Sequence, residues 1–245
     1  MDYNTYHFTK GEIIRYFLEG LIIIGVVGEL FYESLIGTLL ISPMLLLYLK
    51  LKRIKHIKER RWRLNLEFRD GIISLLAALN AGYSSEHAFE ETVRDLENLY
   101  QKNALIMEEF YSINNQLKMN ITVEQALTDL GNRSGVEDIV SFAEIFATAK
   151  RTGGDLIRVI KTTCNTINDK IEIKREIVTL VTAKQFEANI MKLIPVGILL
   201  YMRISSPGYL SPLYHNLSGV LVMTALLMVY LGAYLLIDKI TDIEL

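Results

Sequence analysis

The chain has 245 residues, 51% of them hydrophobic, and a formal net charge of −2. A single cysteine, Cys164, excludes a disulfide framework, and four prolines with few Gly/Ser clusters exclude a long disordered linker. The net charge says less than its distribution: apolar residues gather in 13–49 and 190–237. Between them lie about 140 residues of charged, helix-patterned sequence, enough for one domain core.

Residues 1–11 are polar and aromatic and lack both a basic n-region and a small-residue cleavage site, so a removable signal peptide is not expected. Residues 20–49 are apolar apart from Glu29 and Glu33, too long for one straight span of about 20 residues. Two arrangements fit. One is a long tilted helix broken near 29–33. The other is a hairpin of spans over 13–28 and 34–49 with its tip at 29–33, which spares both carboxylates the cost of lipid burial and is favoured for that reason. Arg15 and Glu19 stand four apart and are expected to pair. Gly20, Gly25 and Gly28 read as packing notches.

Residues 50–63, KLKRIKHIKERRWR, hold eight Lys/Arg and one acid. Directly after an apolar stretch this is a positive-inside signal, placing the following domain in the cytoplasm as a basic juxtamembrane linker opens it. Lys52, Arg53, Lys55, Lys58, Arg60, Arg61 and Arg63 are candidate contacts for anionic lipid or an acidic partner. The plainer reading is a topology signal alone. No aromatic interleaving follows, so nucleic acid is not an expected partner. Trp62, the one tryptophan, suits a headgroup layer.

The middle of the chain reads as six antiparallel helices over 64–81, 84–100, 104–119, 123–131, 136–151 and 155 to about 185. Its junctions repeat one device. AGYSSEHAF (81–89) aligns with MNITVEQAL (119–127): Gly82 with Asn120 as left-handed stops, Ser84 with Thr122 as caps, Glu86 with Glu124, Ala88 with Ala126. Thr122 and Gln125 form a capping box. A third junction repeats the pattern with Gly153, Gly154 and the cap Asp155.

Residues 155–194 contain neither Gly nor Pro. As one helix they would extend roughly 60 Å. Leu156, Ile160, Cys164, Ile167, Ile171, Val178 and Val181 keep near-heptad spacing, and Cys164 on that stripe reads as a small buried residue. Past Val181 the composition turns membrane-like, with a span expected over 188–204. Lys192 and Arg203 are expected to snorkel to opposite faces. A turn-rich loop with Pro207, Gly208 and Pro212 follows, extracytoplasmic if the chain crosses four times. Residues 217–237 are 21 uncharged positions, the clearest span. Within it Ser218, Ala225 and Gly232 form a row of small residues that lets another helix approach. Residues 238–245 make a short cytoplasmic tail. The count of three or four spans stays open.

No GxxxxGK[ST], HExxH or GxSxG motif occurs, and His7, His56, His87 and His215 are scattered. No catalytic, cofactor-binding or metal-binding residue is expected, and the chain does not read as an enzyme.

Four stretches taken together resemble a known family. LLAALNAGYSSEHAFEE (75–91), GVEDIVSFAEIFATAKRTGGDLIRVI (135–160), VTAKQFEANIMKLIP (181–195) and PGYLSPLYHNLSG (207–219) are similar in order and spacing to the type II secretion system F domain family. These are inner-membrane platform proteins of type II secretion, type IV pili and tight-adherence (Tad) pili. One such domain flanked by spans is most similar to the tight-adherence type. Gly82, Ala88, Ala149, Gly153, Gly154, Thr182, Ala183, Gln185 and Pro195 match the family's structural motif. Phe186 departs from it, where a small or basic residue is usual. The resemblance implies an all-α, multi-pass protein of the cytoplasmic (inner) membrane, with a cytoplasmic six-helix bundle over 64–187. It implies a scaffold that couples a cytoplasmic hexameric secretion ATPase to pilin-like subunits, in a homo-oligomer or with a second platform subunit, without a cofactor. Two other classes fit the residues less well: a membrane-anchored helical adaptor or signalling protein, and a small transporter, which would need polar residues along several spans.

Overall fold

The computed structural model describes residues 2–34, 38–39, 41–153, 155–206, 208–214 and 216–241. Gly154, Pro207, His215 and residues 242–245 of the tail lie outside them. Every regular element among the described residues is a helix: α1 (Lys10–Tyr32), α2 (Met44–Asn80), α3 (Ser85–Leu99), α4 (Leu105–Lys118), α5 (Val123–Ser134), α6 (Glu137–Thr152), α7 (Leu156–Ser205), α8 (Ser211–Tyr214) and α9 (Leu217–Thr241). The chain divides into two compact units. One holds Met1–His7 and Arg53–Ile173, the other Phe8–Lys52 and Lys174–Leu245.

The first unit has one hydrophobic core fed by six helical stretches. In α2 the large buried apolar residues are Leu64, Phe68, Ile72, Leu75 and Leu79, a 4-4-3-4 spacing that keeps one helical face inward. Phe89 and Leu96 of α3, Phe110 and Ile113 of α4, and Leu127 and Leu130 of α5 meet it, with Phe142 and Phe146 of α6. From α7 come Ile160, Cys164, Ile167 and Ile171. Phe68 and Phe142 cross edge to face at 5.4 Å, the arrangement that ring quadrupoles favour. Gly71 lets α2 approach α4: a Cβ there would stand 2.8 Å from the Phe110 ring.

The turns explain why these helices stop where they do. At Gly82 (φ +91°) the amides of Gly82 and Tyr83 return to Leu79 and Ala78. At Asn120 (φ +63°) the amides of Asn120 and Ile121 return to Leu117 and Gln116. Both are the same left-handed C-terminal motif, satisfying carbonyls that a helix end would otherwise orphan. The Ser84 side chain then caps α3 by accepting from His87 N–H, and Thr122 with Gln125 forms the capping box of α5.

Five sequence expectations change here. The basic stretch 50–63 is no linker: α2 runs through it unbroken, because nothing in KLKRIKHIKERRWR breaks a helix. The helix that starts at Leu156 does not end near 185 but continues for 50 residues, through Pro195, to Ser205, about 75 Å at 1.5 Å per residue. Proline costs a helix one hydrogen bond and a ring clash; the apolar helix on either side carries it. The heptad stripe of α7 leaves the core after Ile171, and Val178 is exposed. Trp62 packs against the core of the first unit. Residues 1–7, expected with the N-terminal spans, belong to that same unit because the Tyr3 side chain is fully buried in its core.

The second unit joins α1, the first turns of α2, the later part of α7, α8 and α9. A capping box at Thr9 starts α1, and Glu33 ends it in the left-handed region (φ 45°). Gly28 lies against Thr38 and Gly20 against Leu45 and Tyr48, so α1 and the start of α2 run antiparallel with residues 29–33 toward the turn. Of the three expected notches, Gly25 has open space beside it. Leu30, Phe31, Met223 and Leu227 form a small core with Val196 and Leu199 packed on it. Two helices, Leu156–Ser205 and Ser218–Ile240, contain stretches long and apolar enough to cross a membrane. The row Ser218, Ala225 and Gly232 is exposed, whereas Met223 and Leu227 of the same helix face the core.

Candidate functional site

In the first unit the repeated junctions converge. Lys150, near the end of α6, donates to Glu86 Oε1 at 3.2 Å and to Glu124 Oε2 at 3.3 Å. These are the glutamates that the sequence alignment pairs, each in the first turn of its helix. A carboxylate there is already favoured by the helix dipole and free N–H groups. Accordingly Glu86 is held below its ordinary value, first by its own backbone N–H, then by Lys150 and Ser85. Gly153 (φ +67°) caps α6 three residues later, and Asp155 accepts from Arg158 N–H to start α7. The three turns are legible in the repeat; Lys150, which ties two of them, has no signal in it.

The motif residues divide by role. Gly82 and Gly153 supply left-handed turns with no atom within reach of a Cβ. Ala88 and Ala149 are buried in α3 and α6. Thr182, Ala183, Gln185 and Pro195 are exposed along α7 in the second unit. The Thr182 hydroxyl donates back to Val178 C=O at 2.6 Å.

The basic stretch is not a uniform patch. Lys52 stands 3.9 Å from Glu19 and over the rings of Tyr16 and Tyr48. Glu19 also pairs with Arg15 at 3.2 Å, as its spacing predicts, and accepts from Tyr48 Oη. Arg60 lies over the Tyr3 ring at 4.8 Å and Arg61 donates to Asn4 Oδ1. Arg53, Lys55, Lys58 and Arg63 remain exposed.

One polar cluster has no counterpart in the sequence reading. Glu109 of α4 is buried, and Arg133 of α5 forks onto it, Nη1 to Oε1 at 3.1 Å and Nη2 to Oε2 at 2.8 Å. Tyr3 Oη donates to the same carboxylate at 2.9 Å. Hydrogen bonding to Glu109 raises the Arg133 value, while burial, then Glu109, raises that of Tyr3. Residues 106 and 130 positions apart cannot be paired by local spacing.

The two charges expected to snorkel, Lys192 and Arg203, are each paired across helices. Lys192 of α7 donates to Asp238 of α9 and lies 4.7 Å over the Tyr234 ring. Arg203 binds Glu29 through Nη2 at 2.7 Å and the Glu29 carbonyl through Nη1 at 3.0 Å, with Glu33 at 3.4 Å. Tyr214 Oη donates to Leu30 C=O at 2.7 Å and Tyr230 Oη to Lys192 C=O at 2.8 Å, further fastening these helices.

Among the described residues no group of three His, Cys, Asp or Glu side chains is placed to hold a metal ion. No family model matches the chain, and neither a curated protein nor a solved structure matches it.

Proposed function

We propose that the chain is a multi-pass platform subunit of the inner membrane, serving a pilus-assembly or protein-secretion machine. On this reading the first unit is cytoplasmic and receives movement from a hexameric secretion ATPase. The second lies in the membrane and acts on pilin-like subunits, beside further copies or a second platform protein.

The observation that carries the reading is α7. The boundary between the two units falls inside it, between Ile173 and Lys174, and also inside α2, between Lys52 and Arg53. A helix whose first turns are locked in a core by Ile160, Ile167 and Ile171 and whose later turns are apolar and exposed is suited to mechanical coupling. Such coupling needs no catalytic group, which fits a chain without a recognisable catalytic motif. The family resemblance of the four motif stretches points the same way.

The test is a Gly-Pro-Gly insertion after Thr182, scored for surface filaments and for proteins recovered with a C-terminally tagged chain from solubilised membranes. The unmodified chain should recover a secretion ATPase and prepilin-like proteins. The insertion should abolish filaments while the ATPase is still recovered. Normal filaments with the insertion would sink the coupling role. Recovery of a kinase or receptor in place of the ATPase would make the chain an adaptor.

A further inference from the structure

Residues 2–7 form a strap without helix, laid along α2 in the first unit. Tyr3 sits near Arg60, Asn4 near Arg61, and the Tyr6 ring stacks on His56 at 5.1 Å. The strap therefore runs antiparallel to the helix. Its Tyr3 N–H donates to Arg133 C=O at 3.1 Å. Tyr3 is its one fully buried side chain, while Asp2, Asn4, Thr5 and His7 are exposed.

Three features make the strap separable from the core. The socket under Tyr3 is self-satisfied: Glu109 and Arg133 bond each other through both oxygens, so withdrawal of the phenol strands no charge. Arg60 and Arg61 are only partly buried, so water or another anion can reach them. And Arg61 is incompletely served in the seated state, since its buried Nε has no acceptor. A phosphate oxygen satisfies a guanidinium fork better than one amide oxygen does.

We propose that the strap is an internal cover for Arg60 and Arg61 within the basic stretch of α2, and that anionic lipid headgroups compete with it for these two side chains. With the strap seated, these two arginines hold Tyr3 and Asn4. With it displaced, they join the exposed Arg53, Lys55, Lys58 and Arg63 of the same stretch. Occupation by phosphate and seating of the strap are then linked equilibria, each weakening the other. This rests on the membrane placement proposed above, but not on the role in filament assembly.

The experiment is amide hydrogen exchange on the full chain, reconstituted in phosphatidylcholine vesicles with or without phosphatidylglycerol, following the N-terminal peptide that contains Tyr3. In phosphatidylcholine the strap should be protected, yet exchange faster than the α4 and α5 peptides. Phosphatidylglycerol should speed strap exchange roughly tenfold, each lipid–cation contact being worth a several-fold factor, and leave α4 and α5 unchanged. An Arg60→Gln/Arg61→Gln chain should lose the lipid dependence. Tyr3→Phe, which keeps the ring, should keep it from a less protected baseline. Equal exchange in both lipids would overturn the proposal, as would strap exchange only together with α4 and α5. Failure of the chain to enter either vesicle would overturn the membrane placement itself.

Discussion

Arg133→Met probes the energetics of the buried cluster that joins α4, α5 and the N-terminal strap; it also releases Asp129, 2.7 Å from Arg133 Nε but half exposed, a pair worth little. Glu109 is 2% exposed and Arg133 24%, so the pair is desolvated on the carboxylate side and partly wet on the other. Methionine fills much of the arginine stem but leaves the Glu109 charge with the Tyr3 hydroxyl and no fork. Stranding a buried charge costs about 3–5 kcal/mol when burial is complete; the partial exposure of Arg133 puts the expected loss at about 3 kcal/mol. Replacing both residues removes the charge together with its partner. Glu109→Met/Arg133→Met should therefore recover to within about 1 kcal/mol of the parent, about 2 kcal/mol better than Arg133→Met alone, and the Glu109→Met single completes the double-mutant cycle. Trp62 is the only tryptophan and packs on the core of the same unit. Its fluorescence during urea titration in detergent reports this unit without signal from another tryptophan. An Arg133→Met loss below about 1 kcal/mol, or a double variant as unstable as the summed singles, would refute the buried-pair account.

Two further outcomes follow from the same unit. Gly71→Ala places a methyl 2.8 Å from the Phe110 ring; overpacking of about 1–3 kcal/mol less a helix-propensity gain of about 1 leaves a net loss of up to about 2 kcal/mol, and Phe110→Leu in that background should restore part of it by the Trp62 readout. Glu86 should titrate below the ordinary 4.5 by carboxyl NMR. Its ionised form is favoured in the folded state, so its stabilisation is present above 4.5 and is lost as pH falls through the depressed value. Lys150→Met should return the titration only part of the way, since the α3 backbone N–H remains as the larger cause.

What the sequence determined by itself is local. Gly82, Asn120 and Gly153 each stop a helix in the left-handed region, and Ser84, Thr122 and Asp155 cap the next one, because these choices depend on a few neighbouring backbone groups. The inward faces of α2 and of α7 up to Ile171 were likewise legible, since a helical period repeats regardless of what covers it. Helix length was less so: KLKRIKHIKERRWR read as a linker and the composition change near 185 as a helix end, yet α2 and α7 run through them, α7 through Pro195 as well. Charge and proline bias a helix without vetoing it when neighbouring turns hold. Only the tertiary structure decided the long-range partners. Tyr3 with Glu109, Lys150 with Glu86 and Glu124, Lys192 with Asp238 and Arg203 with Glu29 join residues whose separation along the chain carries no periodic signal. Burial makes an unmet Glu109 charge or Tyr3 hydroxyl costly, while the partly exposed pairs follow from which helices pack side by side, and both are properties of the packed chain rather than of any segment of it.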